Sequence, residues 1–190
     1  MLFGSCIGFW SHQYARVGKA LGGLAHSLPP QRELSNLASP WYDPLTRGGE
    51  GHIEVGKALY YSQTRRCHLV LSVKPFGCMP STQSDGVMAA VCAQNPSLLF
   101  LPIETSAEGE IHALSRVQMA LGDARRHARA ELQRVQEESG VTPQQVRAYI
   151  AGHRDLRRPF YPWPSVPGVA GAAAKVVSRV SQMMRSGHGS

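Results

Sequence analysis

The sequence predicts an α/β protein: a small parallel sheet with flanking helices, and further helices before and after it. Three observations carry this. Two short runs, His68–Val73 and Leu98–Ile103, are rich in β-branched and apolar residues and are bounded by Pro, Gly and Asn. Between them Ser84–Gln94 reads as a helix, so the order is strand, helix, strand, and such a unit makes its two strands parallel. The 190 residues are 43% hydrophobic, enough chain for about one domain with a real core.

Trp10, Tyr14, Val17, Leu21 and Leu24 recur at spacings of 4, 3, 4 and 3, one face of an amphipathic helix that Gly22-Gly23 and Pro29-Pro30 end. Gln31–Gly49, with Pro40, Pro44 and Gly48-Gly49, reads as a connecting loop. A helix is expected from Glu50 to about Arg65, with Ile53, Gly56, Leu59 and Tyr60 inward. The run at His68–Val73, stopped by Pro75 and Gly77, suits a strand buried on both faces. Asn95-Pro96 breaks the following helix, and Pro102 places the second strand near an edge or an end. Leu114, Val117, Leu121, Ala124, Ala128, Leu132 and Val135 then mark the longest helix, with Gly140 as its left-handed cap. Thr142-Pro143-Gln144-Gln145 has the form of a capping box opening another helix, which Gly152 closes. An extended Pro/aromatic strap follows from Arg158 to Pro167. Val169, Ala173, Val176, Val180 and Met183 make a last helix, and the tail from Ser186 is expected to fray. The ranges are therefore 1–44 for the first helix and its loop, 45–140 for the α/β lobe, and 141–190 for the C-terminal extension.

No stretch of eighteen uninterrupted apolar residues occurs, so no spanning helix and no membrane partner is expected. The first residues lack a basic start and a long apolar run, and the four cysteines form neither a disulfide scaffold nor a C-x-x-C pair, so a cytoplasmic protein is expected. The net charge is +7, of which Leu114–Phe160 carries nine arginines against five acids. Such a surface suits an acidic partner or a phosphate-bearing ligand, or is simply solvated. Asp123, Glu131, Glu137 and Glu138 interleave with the arginines and favour the solvated face, and without any nucleic-acid-binding motif a nucleic-acid partner is not expected.

Ligands of an open parallel sheet gather beyond the carboxyl ends of its strands, here the loops Lys74–Thr82 and Glu104–Glu110. Cys78 is the soft, reactive group in them. It follows Gly77, is flanked by Pro75 and Pro80, and precedes a helix N-terminus whose dipole favours the thiolate. An inert cysteine, a nucleophile and an iron–sulfur ligand all remain open. A phosphatase-type nucleophile wants an arginine six positions on, where Ser84 stands, and nothing in the sequence sets a histidine beside the thiol. Gly51–Ala58 nearly spells a phosphate-binding loop, but Ala58 replaces the hydroxyl residue and no strand precedes it, so Lys57 is read as a surface lysine. His52, His68 and His112 lack ligand spacing and are read as solvated or hydrogen-bonded.

Val73-Lys74-Pro75-Phe76-Gly77-Cys78-Met79-Pro80-Ser81, then Leu101-Pro102-Ile103-Glu104-Thr105-Ser106 and Ser115-Arg116-Val117-Gln118-Met119-Ala120, resembles the 2-hydroxyacyl-CoA dehydratase / benzoyl-CoA reductase system. The likeness is to its activase-associated, dehydratase-type module, the C-terminal portion of the large CoA-substrate-specific enzyme activase proteins. Gly48-Gly49-Glu50-Gly51 and Val166-Pro167-Gly168-Val169-Ala170-Gly171 fit the same module, over about residues 45 to 185. The resemblance implies a flavodoxin-like lobe in which Cys78 helps hold a [4Fe–4S] cluster and Glu104 and Arg116 line the same cleft. It implies an ATP-dependent activase that delivers one electron, and an acyl-CoA substrate that loses water through a ketyl radical. Cys6, Cys67 and Cys92 do not fall at the family's other ligand positions, and neither the lobe that carries those ligands nor an ATPase motif is found. The expectation is a partial subunit, from a split gene or a truncated copy, inactive alone, or a non-catalytic module that docks on such components.

Overall fold

The computed structural model describes residues 2–21, 28–46, 49–105, 109–159 and 161–186, for residues 2–6 the backbone alone. Leu24, the Gly22-Gly23 stop, Gly48, Ser106–Glu108, Phe160 and the tail from Gly187 lie outside them. The protein is mixed α/β, mostly helical, with a two-stranded parallel sheet flanked by helices. The helices are α1 (Leu2–Ala20), α2 (Gln31–Ala38), α3 (Gly51–Gln63), α4 (Met79–Gln94), α5 (Glu110–Ser139), α6 (Pro143–Gly152) and α7 (Ala172–Ser186). The strands are β1 (Val70–Pro75) and β2 (Phe100–Thr105), and a 3₁₀ turn runs Arg154–Arg157.

The chain divides into two compact units, one of residues 29–134 and 167–174, the other of 1–28, 135–166 and 175–190. In the first, β1 and β2 pair in register from Val70 opposite Phe100 to Pro75 opposite Thr105, with α4 as the crossover. The core is Ala38, Val55, Ala58, Leu59, Met88, Val91 and Leu98, with Val70 and Phe100 packed against it. Gly56 allows the closest approach in it: a Cβ there would sit 2.5 Å from the Leu34 carbonyl oxygen, so α3 lies directly on the backbone of α2.

The segment expected to be a plain loop contains α2. Pro30 precedes it, Glu33 sits in its first turn, and Leu34 and Ala38, four residues apart, are both buried. Eight residues with one apolar turn give too little period to stand out, and contact with α3 is what stabilises them. Helix α4 starts five residues earlier than Ser84, because Cys78 is its N-cap and Pro80 fits its first turn. The expectation that β1 is buried on both faces is wrong. Leu71 is 44% and Val73 61% exposed, while Ser72 is half-buried and Lys74 buried. Beyond β1's second face no described element supplies the covering layer that parallel strands normally have. Ile103, on that same face of β2, is buried.

In the second unit the capping box forms as expected: the Thr142 hydroxyl accepts from the Gln145 backbone N–H at 3.3 Å, and the Gln145 side chain accepts from the Thr142 N–H at 2.8 Å. Gly140 takes a left-handed φ of 67° behind α5. Helix α7 buries Val177, Val180 and Ser181, so its inward face is turned by one residue from the expected Ala173, Val176, Val180 series. Arg179 ties the strap to α7 by donating to the Pro164 and Ser165 carbonyls.

Candidate functional site

A cleft of about 520 Å³ opens at the carboxyl end of β1, lined by the starts of α3 and α4 and by β1 itself. Gly49–Gly51, Glu54 and Lys57 form one wall, Ser72–Lys74 another, and Cys78, Pro80 and Ser81 the third. The sequence builds this mouth locally. The Cys78 N–H donates to the Pro75 carbonyl at 3.3 Å, closing a four-residue turn whose third residue, Gly77, has φ 73°. That is the position of a type II turn that requires positive φ. The Cys78 carbonyl then accepts the first helical bond of α4, from the Thr82 N–H at 2.9 Å, so the thiol sits on the helix N-cap, half-exposed.

The Ser81 hydroxyl donates to Cys78 Sγ at 3.2 Å. Together with the Ser81 backbone N–H this hydrogen bond holds the Cys78 thiol below its ordinary pKa, the nearby Lys74 ammonium assists, and desolvation and the Glu54 carboxylate oppose it. The other described thiols go the opposite way. Burial pushes Cys67 and Cys92 up, which disfavours their thiolates.

Beneath the thiol lies a buried polar network. Lys74, 4% exposed, donates to Glu54 Oε1 at 3.2 Å, to Asp85 Oδ1 and to the Ser81 carbonyl at 3.3 Å. Ser72 and Ser84 donate to the two oxygens of Glu54, and Ser84 also reaches the Ser81 carbonyl at 2.8 Å. A lysine removed from water is thus flanked by two carboxylates and has all three of its protons engaged. Two of these groups also fix the Ser81 backbone, so the network positions the hydroxyl that faces Cys78. Lys74 and Ser81 fall in the strand-end loop that the sequence singles out, but the sequence assigned no role to them or to Glu54, Ser72, Ser84 and Asp85. Lys74 at the inward phase of an alternating strand was the available signal, because a lysine among core-facing positions must find carboxylates.

Of the residues expected together, Cys78 lies in the cleft, whereas the cleft lining includes neither Glu104 nor Arg116. Glu104 is exposed in register with Lys74, and Arg116, also exposed, donates to the Pro102 carbonyl at 2.9 Å, tying α5 to β2. Lys57 is exposed, as read from its near-miss phosphate loop, and lines the cleft. His68 is hydrogen-bonded to Glu131 at 3.2 Å, whose carboxylate also accepts from the Ala170 and Gly171 N–H groups at 2.9 and 2.7 Å. No group of three or more His, Cys, Asp or Glu arranged to hold a metal ion is found among the described residues. One thiolate fits one corner of a four-thiolate cluster, and among the described residues no second cysteine lines this cleft. Comparison with family models, curated proteins and solved structures found no match to the chain.

Proposed function

We propose that this chain is a partial subunit of an ATP-coupled, iron–sulfur 2-hydroxyacyl-CoA dehydratase/activase-type system. Cys78 lends one thiolate to a [4Fe–4S] centre that another chain completes. The observation that carries the reading is the thiol itself: half-exposed on the N-cap of α4, facing a cleft at a strand end, and hydrogen-bonded by Ser81 so that the thiolate, the form that ligates iron, is favoured. In this reading the two parallel strands belong to a flavodoxin-like lobe, the complex works in the cytoplasm, and a dehydratase-type lobe supplies the other ligands. When bound, the cluster would supply low-potential one-electron chemistry for a CoA thioester. The chain's own residues present the sulfur, favour its thiolate through Ser81, and fix Ser81 through Lys74 and Ser84. Glu104 and Arg116 keep a place in the proposal at the neighbouring strand end, outside the cleft of Cys78.

The test is anaerobic iron–sulfur reconstitution of this chain with a dehydratase-type chain, read by visible absorption and electron paramagnetic resonance. A cluster signal that disappears in Cys78→Ala is the expected result, and a signal unchanged by that substitution refutes the assignment.

A second reading is favoured by a separate observation. Leu71 and Val73 on the open face of β1, and Ile111 and Met119 on α5, at 78% and 76% exposure, are large apolar side chains without cover. They suit a non-catalytic module docking on dehydratase or activase components. Co-purification of such a component with an iron-free chain, abolished by Val73→Glu, would establish it, and failure to bind any such component would remove it.

A further inference from the structure

Helix α1 sorts its residues sharply by chemistry. At about 100° per residue, Val17, Trp10, Leu21, Tyr14 and Ile7 fall within about 80° of one another around the axis. All five, Leu21 in the turn just past the helix, are large and exposed, between 40% and 70%. His12, Arg16 and Lys19 lie on the opposite side, and Phe9, 57% exposed, adds a further ring at the edge of that polar side. The charge is one-signed: the sequence has no Asp or Glu before Glu33, and Arg16, Lys19 and Arg32 stand unopposed in that stretch. The chain as a whole is +7.

We infer that α1 is an interfacial helix that lies on an anionic lipid surface, with Trp10, Tyr14, Val17 and Leu21 in the headgroup–acyl boundary. Three features select this occupant. A single convex stripe with aromatic rings and no acid fits a flat, negatively charged interface, where aromatic rings with one polar end are preferred. The cations without counter-charges supply the electrostatic half of the affinity, which neither a neutral surface nor a second copy of an equally basic helix would satisfy. No helix among the described residues is long and apolar enough to cross a membrane, so the contact is with the surface, a membrane partner that the sequence alone did not lead one to expect. This inference is independent of Cys78 and of the cluster reading.

The test is flotation of the full chain with vesicles of phosphatidylcholine alone and of phosphatidylcholine with about one third phosphatidylserine, at low and high salt. Binding should be at least about tenfold stronger to the anionic vesicles and should weaken with salt. Trp10→Glu and Val17→Glu should abolish it, and Arg16→Gln with Lys19→Gln should weaken it by about an order of magnitude or more. These positions are solvent-exposed, and unchanged circular dichroism and urea midpoint verify that the variants fold. Absence of binding, equal binding to both vesicle types, or binding unaffected by Trp10→Glu would overturn the inference. So would concentration-dependent self-association that Trp10→Glu removes while vesicle binding is absent, since the stripe would then be an interface between copies.

Discussion

The two faces of β1 differ as much as any two regions of this molecule, although their residues alternate along six positions of one strand. One face carries Val70 into the core and Ser72 and Lys74 onto Glu54. The other holds Leu71 and Val73 in solvent, followed by Phe76 at 74% exposure in the turn. Past Val70 the polar Ser72 and Lys74 are the well-held residues and the apolar Leu71 and Val73 the bare ones, an inversion of the usual ordering. It shows where this unit is built from: α3 and α4 cover one side of the strand, and the Lys74 network beneath Cys78 lies on that side.

The largest effect is expected at the buried ion network. Lys74→Ala leaves Glu54 and Asp85 facing each other without a cation, and should cost about 3–5 kcal/mol in urea unfolding. A loss below about 1 kcal/mol would mean that water reaches the network and that the two faces are less different than drawn. Met88→Ala, in the apolar part of the same side, should cost about 2–5 kcal/mol through its cavity. On the bare face, Leu71→Ser and Val73→Thr should change stability by no more than about 0.5 kcal/mol. Should either approach the Met88 value in the isolated chain, the second face is covered in solution.

The last prediction concerns the thiol and has the smallest effect on stability. The rate of alkylation of Cys78 by iodoacetamide should titrate with a midpoint below that of an unperturbed thiol. Because the folded pKa is the depressed one, whatever stability the thiolate contributes is present above the unfolded thiol's pKa and fades as pH falls through the folded value. Ser81→Ala should move the midpoint upward, since the hydroxyl is the largest cause of the depression, while Cys67 and Cys92 should react only at higher pH than Cys78. An unmoved midpoint would show that the Ser81 hydrogen bond does not act on the sulfur.

Elements whose signal is local were legible in advance. The βαβ order follows from two apolar runs around a helix, and Thr142, Pro143 and Gln145 spell their own capping box. Gly77 and Gly140 sit where a positive φ is needed, and Cys78 falls in a strand-end loop before a helix. In each case the interactions that decide the conformation lie within a few residues along the chain, so composition and spacing contain them.

What depended on distant neighbours could not be read that way. Helix α2 exists because α3 packs against it, and the one-residue turn of α7's inward face is settled by what surrounds Val177 and Val180. Leu71 and Val73 are as apolar as any core residue, and they are bare because no described element lies over them. Glu54, Lys74 and Asp85 are separated by up to 31 positions, yet form one ion cluster beneath Cys78. By itself the sequence determined the local turns, the caps and the parallel pairing. Burial and charge pairing were decided by the tertiary structure, because desolvation depends on which surfaces come together in space, and that is a property of the whole packed chain.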